Sequence, residues 1–272
     1  MTSWPLDPEQ LRHEVEAMQA AVLGAVFARL GHDRLRGMYF KGSASKPWPG
    51  PIDYVPELSD VDLHLWLRDP EDRPRLTAPQ AALGFMAEVN AAYAAACPRP
   101  LHWPRLQLSL LNDLLEMPRF ARSAVTVLHG EPYPGAAPDP EHDRLALIEQ
   151  AEAARHLGGD LFDKVGPHQY AALRSLAWRV TPAAPRLLHA LGLPWEEAWG
   201  QPRSVLVTHL RHRGHGALAE TYRAYYECAW RAFGSGWRDA AALHEALTLG
   251  YEVLRYSGAV ALSLTPLEPA RP

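Results

Sequence analysis

A segment rich in proline, residues 131–140, divides the chain into two halves with different patterns of apolar residues. Before this segment, short runs of alternating apolar and polar residues predict β-strands. After it, apolar residues recur almost throughout at the spacing of amphipathic helices. The 272 residues are enough to form two hydrophobic cores. We therefore predict an α/β (α+β) domain over residues 1–135, followed by an all-α helical domain over residues 136–272.

Four segments of the first half are predicted to be strands of one mixed sheet. The clearest covers residues 61–67, where apolar residues alternate with Asp62, His64 and Trp66. The other three cover residues 37–40, 106–110 and 124–128, and helices are predicted from Pro8 to Leu30 and from Pro79 to Ala96. In the second half, helices are predicted over 141–156, 168–191, 203–213, 216–233 and 238–256. Pro182 and Pro185 should break the second of these, since proline interrupts helical hydrogen bonding.

The composition narrows the classes of protein to consider. The net charge is −4, and general nucleic-acid binding depends on Lys and Arg that neutralise phosphates, so we do not expect a nucleic-acid partner. Cys97 and Cys228 belong to no CxxC or Cys/His pattern and are predicted to be buried, reduced thiols. The first residues lack a basic stretch followed by an apolar run, and no segment has the length of a membrane span. We therefore expect a soluble, cytoplasmic protein.

The residues most informative about chemistry are Gly42-Ser43, at the end of a predicted strand, and Asp60-Val61-Asp62, after a spacer of 16 residues. Asp60 and Asp62 are two residues apart on a strand and so share a face. Two such carboxylates repel each other unless a cation lies between them, and Mg²⁺ prefers a few carboxylates together with phosphate oxygens. Gly42 permits a close turn, and Ser43 offers a hydroxyl and a backbone N–H to a phosphate. Lys46 follows closely and is a further candidate to bind the phosphates of a nucleotide.

A Gly-Ser alone is usually a turn, and an Asp-x-Asp alone is usually surface, so the prediction depends on their combination. The order of a strand, Gly42-Ser43, a spacer and Ser59-Asp60-Val61-Asp62-Leu63 resembles the signature of the DNA polymerase β-like nucleotidyltransferases. The branch that it resembles most is that of the aminoglycoside adenylyltransferases. The spacer is somewhat longer than is usual in the family, and it holds four prolines.

The resemblance implies transfer of a nucleoside monophosphate from an NTP to a hydroxyl of a small molecule, for which an aminoglycoside-like acceptor is one candidate. It implies that Asp60 and Asp62 are catalytic and bind Mg²⁺ or Mn²⁺, and that Gly42 and Ser43 bind the NTP, for which we expect ATP. It also implies that the acceptor lies between the two domains, near acidic and aromatic side chains.

The superfamily also uses a third carboxylate on a later strand, and the matching position in this chain is Gln107. Glutamine cannot accept a proton, and it binds Mg²⁺ weakly. The strand alignment is therefore shifted, or Asp113 or Glu116 supplies the acid, or the chain is an interaction module that binds a nucleotide without turnover. A further alternative is a nucleotidyltransferase that acts on a protein or RNA partner.

Further candidate residues lie near this site and in the second half of the chain. Lys41 flanks Gly42-Ser43 and is a second candidate to meet the triphosphate, while His64 shares the face of Asp62 and is expected to support it rather than to carry protons. Four aromatic residues of the second half are predicted to form a buried stripe, namely Tyr222, Tyr225, Tyr226 and Trp230. Four acidic residues are candidates to contact a cationic acceptor, namely Glu196, Glu197, Glu220 and Glu227.

Overall fold

The computed structural model describes residues 3–117 and 120–264, which group by their contacts into two compact units. The sheet unit consists of Leu6–Lys46 and Ser59–Ala136. The helical unit consists of Pro47–Leu58 and of the chain from Ala137 onward, with the residues that precede Leu6. The domains predicted from the sequence divide the chain once, after residue 135. By contacts, the loop Pro47–Leu58 groups with the helices, although the strands on either side of it belong to the sheet.

The described residues of the sheet unit form four strands and four α-helices. The strands are β1 (Leu35–Lys41), β2 (Val61–Leu67), β3 (Leu106–Leu110) and β4 (Val125–Gly130), and the helices are α1 (Pro8–Leu30), α2 (Pro74–Thr77), α3 (Pro79–Ala96) and α4 (Leu111–Leu115). The predicted strands at 61–67 and 106–110 are confirmed to the residue. β1 is longer than predicted: it begins at Leu35, which pairs with Leu67 of β2, and it ends at Lys41, which is paired with both neighbouring strands.

The strands form a mixed sheet, as predicted, in the order β3-β2-β1-β4. β1 is antiparallel to β2 and β4, while β2 is parallel to β3. In this register Lys41 lies opposite Asp62, and Asp62 lies beside Gln107. Since residues paired across neighbouring strands point to the same face, these three side chains form one row across the sheet.

Helix α1 is fixed at its start by Asp7, whose Oδ1 accepts a hydrogen bond from the N–H of Glu9 at 3.0 Å. Further along α1, the buried carboxylate of Glu14 accepts hydrogen bonds from the backbone N–H groups of Leu101 and His102 at 2.6 and 3.2 Å. Its Oε2 also lies 2.6 Å from Nδ1 of the buried His102 ring. Glu14 thereby fastens the chain that enters β3 to the first helix.

The helical unit contains the remaining helices. These are α5 (Pro140–Ala154), α6 (Gly158–Leu161), α7 (Gln169–Val180), α8 (Ala183–Ala190), α9 (Trp195–Gly200), α10 (Arg203–His212), α11 (Gly216–Gly234) and α12 (Ala240–Ser263). The break predicted at Pro182 is confirmed, since α7 ends at Val180 and α8 begins at Ala183. The break predicted at Pro185 is wrong, because this proline lies in the first turn of α8, where no helical N–H bond is lost. The predicted aromatic stripe is confirmed too: Tyr222, Tyr225, Tyr226 and Trp230 are all buried.

Side chains of α10 and α11 anchor the loop Pro47–Leu58 within the helical unit. The buried carboxylate of Asp53 accepts hydrogen bonds from the backbone N–H and the hydroxyl of Ser204, at 2.7 and 2.9 Å. The indole Nε1 of Trp230 donates to the carbonyl of Pro51 at 2.6 Å. The proline-rich spacer is therefore ordered by specific polar contacts rather than left as a free surface loop.

The last part of this loop contains a strained residue, Glu57, with a φ of 62°. Its carbonyl accepts hydrogen bonds from the Tyr170 hydroxyl at 3.1 Å and from Arg174 Nη1 at 3.0 Å. Its Oε2 accepts a 2.6 Å hydrogen bond from Nε1 of Trp237, the other non-glycine residue in the described chain with a positive φ. A left-handed backbone is costly for residues with a side chain, and these contacts offset that cost.

Cys97 lies at the end of α3 and Cys228 lies on α11; both are buried and free, as predicted. Within residues 3–117 and 120–264, none of the helices has both the length and the apolar character needed to cross a membrane.

Candidate active site

Five polar side chains meet on one face of the sheet, at the end where β2 begins. Asp62 lies opposite Lys41 on β1 and beside Gln107 on β3. Asp60 and Arg105 each precede a member of this row by two residues, and Arg105 Nη1 lies 3.4 Å from Asp60 Oδ1. We call these five residues the polar cluster. The two carboxylates predicted from the sequence are thus placed side by side.

Gly42 makes room for one of these carboxylates. Its backbone has φ 79° and ψ −167°, a region that is open almost only to glycine. A Cβ atom at this position would lie 2.5 Å from Oδ2 of Asp62, closer than real Cβ atoms come to other atoms. The sequence predicts that Gly42 lets the backbone approach a ligand, and the structure adds that it lets Asp62 approach the backbone.

The turn that follows Gly42 is held in place by α1. Ser43 begins a short 3-10 turn, and the hydroxyl of Ser45 donates to the carbonyl of Gly42 at 2.9 Å. The guanidinium of Arg12 donates to the carbonyls of Ala44 and Lys46 at 2.8 and 2.7 Å. The segment assigned to nucleotide binding is therefore a preformed turn next to Asp62.

Gln107 joins the two carboxylates. With its amide oriented so that the donor faces acceptors, its nitrogen lies 3.2 Å from Asp62 Oδ1 and 3.1 Å from Asp60 Oδ2. The strand alignment expected from the sequence is confirmed, since β2 and β3 place Gln107 directly beside Asp62. A neutral amide that donates hydrogen bonds thus occupies the position at which an acid is expected.

Two cationic residues flank the carboxylates: Lys41 lies opposite Asp62, and Arg105 lies next to Asp60. The backbone carbonyl of Arg105 accepts a hydrogen bond from the N–H of Val61 at 2.8 Å, which fixes Arg105 next to Asp60. About half of the Arg105 side chain is exposed, so its ion pair with Asp60 by itself contributes little stability. Arg105 was not predicted from the sequence to belong to the site. Its signal is its position two residues before Gln107, which puts both side chains on the face of the aspartates.

Asp62 lies in an environment that disfavours its charge. Burial, together with the charge of Asp60, raises the pKa of Asp62 to about 6 against the opposing charges of Lys41 and Arg105. A carboxylate at this position is stabilised by any added positive charge. A divalent cation bound between Asp60 and Asp62 would supply that charge.

His64 shares the face of Asp62, two residues further along β2, but it is buried in the core of the sheet unit. Its Nδ1 lies 2.8 Å from the hydroxyl of Tyr133. Burial, assisted by the charge of Lys41, lowers the pKa of His64 to about 3. A general base works best with a pKa near the working pH, so His64 is unsuited to proton transfer. The contact shown for its ring is with Tyr133, so a role in supporting Asp62 stays a prediction.

The structure does not bring the two alternative acids to the polar cluster. The Asn112 side chain bonds both the N–H and the carbonyl of Leu67, the last residue of β2, at 2.9 and 3.1 Å. Asp113 therefore lies near the opposite end of β2 from Asp62, which is roughly 16 Å along the strand, and there it pairs with Arg73 at 2.9 Å. Glu116 follows α4 and is exposed.

Of the four acidic candidates in the helical unit, two are paired with arginine and two are exposed. Glu220 forms ion pairs with Arg211 and Arg223, and Glu227 pairs with Arg223. Glu196 and Glu197 lie exposed in the first turn of α9. Two of the four carboxylates are therefore already neutralised by arginine.

Within residues 3–117 and 120–264, no group of three or more His, Cys, Asp or Glu side chains could hold a metal ion. The polar cluster offers two carboxylates, and Mg²⁺ is commonly bound through one or two carboxylates together with substrate phosphates. The residues present therefore fit a divalent cation that is delivered with a nucleotide. Comparison of the chain with protein-family models, with curated proteins and with solved structures gives no match.

Proposed function

We propose that this chain is a polymerase β-like nucleotidyltransferase that transfers a nucleoside monophosphate from a metal-bound NTP to a hydroxyl group of a small molecule. The observation that carries the proposal is the placement of Asp60 and Asp62 side by side, next to the preformed turn at Gly42-Ser43. Carboxylate pairs beside a glycine turn suit the joint binding of a divalent cation and phosphates.

In this proposal, Asp60 and Asp62 hold Mg²⁺ or Mn²⁺, which neutralises phosphate charge when it is bound. The backbone and hydroxyl of Ser43 contact phosphate oxygens, and Lys46 and Lys41 add positive charge. The acceptor oxygen forms a bond to the α-phosphorus, the bond to the β-phosphate oxygen breaks, and pyrophosphate leaves. Because both carboxylates of the cluster are assigned to the cation, the acceptor proton passes to solvent. ATP is the expected donor.

A second function has an observation of its own. Gln107 stands where an acid is expected, and Asp113 is paired with Arg73 away from the cluster. This favours a module that binds a metal–nucleotide complex without turning it over. The two functions differ in one measurable respect: only the enzyme releases pyrophosphate in the presence of an acceptor.

Thermal-shift binding of ATP, GTP, CTP and UTP, each with and without Mg²⁺, tests the shared part of both proposals. A ligand at a hundredfold excess over its dissociation constant stabilises the folded state by about 2.7 kcal/mol. We expect a Mg²⁺-dependent shift with at least one nucleotide, which is lost when Asp60→Asn and Asp62→Asn are combined. The matched control is Asp113→Asn, which removes a carboxylate outside the cluster. A shift that survives in the double variant would refute the proposed site.

Pyrophosphate release, measured against a panel of aminoglycosides and other polyhydroxylated small molecules, then separates the two functions. Turnover that is abolished by the paired substitutions supports the transferase. Nucleotide binding with no release for any acceptor favours the binding module, and replacing Gln107 by Asp should then raise the rate above the background if only the acid is missing.

A further inference from the structure

The positive and negative side chains of the polar cluster are equal in number. Asp60 and Asp62 carry two negative charges, and Lys41 and Arg105 bring two positive charges to the same face. Gln107, which touches both carboxylates, is neutral. The five side chains therefore sum to zero before any metal or nucleotide binds.

A second divalent cation is poorly supported by such a site. Paired metal ions in phosphoryl-transfer enzymes lie about 3.5–4 Å apart, and their mutual repulsion is overcome by shared carboxylate oxygens. In the described chain no third acidic, histidine or cysteine side chain joins Asp60 and Asp62 in a group that could hold metal. Gln107 presents its nitrogen to the carboxylates, so it competes with a cation for their oxygens rather than adding an oxygen ligand.

The two cationic side chains are placed to take over part of the role of a second ion. Lys41 lies directly opposite Asp62 on β1, immediately before Gly42-Ser43. Arg105 lies on the other side of the pair, with Nη1 3.4 Å from Asp60 and about half of its side chain exposed. An exposed guanidinium beside a metal site can pair with a phosphate, for which its planar array of donors is suited.

We propose that the polar cluster binds one divalent cation per nucleotide, and that Lys41 and Arg105 supply the remaining positive charge to the triphosphate. This inference rests on the proposed function, since it concerns the same site. Gln107 is a positioning residue in this scheme: its amide holds the two carboxylates in place without adding charge. The chemistry recognised is a nucleoside triphosphate with a single bound Mg²⁺ or Mn²⁺.

The number of ions is measured by titrating the full chain with Mn²⁺ and following the electron paramagnetic resonance signal of free Mn²⁺, in the presence of α,β-methylene-ATP. This analogue cannot be cleaved between its α- and β-phosphates, so the number of bound Mn²⁺ ions does not depend on activity. We expect one Mn²⁺ in the wild type and in Gln107→Asn, which keeps a neutral amide. Gln107→Asp adds a carboxylate, and we expect a second ion there.

The cationic residues are tested by the affinity for α,β-methylene-ATP in the presence of Mn²⁺. Lys41→Ala and Arg105→Ala should each weaken binding about tenfold or more, because each removes a charge-assisted contact, while the ion count stays at one. The matched control is Arg73→Ala, which removes an exposed arginine paired with Asp113 outside the cluster. Circular dichroism establishes that each variant is folded.

The outcomes separate this inference from the proposed function. Two Mn²⁺ ions in the wild type would overturn the single-ion inference and leave the proposed nucleotidyl transfer intact. Unchanged nucleotide affinity in both cation variants would overturn the part assigned to Lys41 and Arg105. Failure of the wild type to bind Mn²⁺ with the analogue would overturn both the inference and the proposed function.

Discussion

Replacing Gly42 by alanine tests whether the close approach of Asp62 to the turn matters for the site. The new Cβ would lie 2.5 Å from Asp62 Oδ2, about 0.9 Å short of an ordinary van der Waals contact at 3.4 Å. The carboxylate must therefore move by a similar distance from the position in which its Oδ1 lies 3.2 Å from the amide nitrogen of Gln107. Because the glycine also has a positive φ, the substitution adds backbone strain.

Substitution of a second glycine separates the displacement of Asp62 from the backbone strain. Gly31, which ends α1, has φ 76° and ψ 159°, nearly the same backbone conformation as Gly42, and a Cβ there would meet no atom within 4 Å. Both alanine variants should lose about 1–3 kcal/mol of unfolding free energy from the backbone alone. Only Gly42→Ala displaces a carboxylate. A misplaced metal-site residue typically costs 10–100-fold in metal affinity, so about tenfold or more is expected.

The assay is denaturant unfolding of both variants, followed by Mn²⁺ binding with α,β-methylene-ATP. We expect similar losses of stability and a loss of Mn²⁺ affinity in Gly42→Ala alone. Equal Mn²⁺ affinity in the two variants would refute the reasoning, because it would mean that the position of Asp62 does not matter to the site. A far larger loss of stability in Gly31→Ala than in Gly42→Ala would show that backbone strain differs between the two positions.

Two further predictions concern stability. Trp237→Phe removes the N–H donated to Glu57 and should lower the unfolding free energy by about 1–3 kcal/mol in urea, whereas Trp178→Phe, at an exposed ring, should change it by less than about 0.5 kcal/mol; equal effects would contradict this. Burial opposes ionisation of Glu14, but hydrogen bonds from the His102 ring and the backbone outweigh it and lower its pKa. Its stabilisation is therefore present above the ordinary pKa of 4.5 and lost as the pH falls through the lower folded pKa. The difference in stability between wild type and Glu14→Gln should shrink on acidification, and a constant difference between pH 7 and pH 3 would count against it.

Local patterns in the sequence were enough to predict most elements of the fold. The alternation of apolar residues in 61–67 and 106–110 defined two strands to the residue, because side chains of a strand point alternately to opposite faces. Pro182 marked a helix break, because it lacks an N–H and clashes with the preceding turn. The proline-rich spacer, by contrast, is held in place by hydrogen bonds to Ser204 and Trp230. Those partners lie 151 and 179 residues further along the chain, so no local pattern predicts the contacts.

By itself, the sequence determined which residues are candidates for a site: the Asp60/Asp62 pair, the Gly42-Ser43 turn, and the neutral Gln107 where the resemblance implies an acid. Only the tertiary structure decided which of them lie together. Strand pairing placed Lys41, Asp62 and Gln107 in one row, brought Arg105 to Asp60, and left Asp113 at the far end of β2 with Arg73. The physical reason is that periodicity specifies the face a side chain occupies, whereas its neighbours on that face depend on hydrogen bonds between strands distant in the chain.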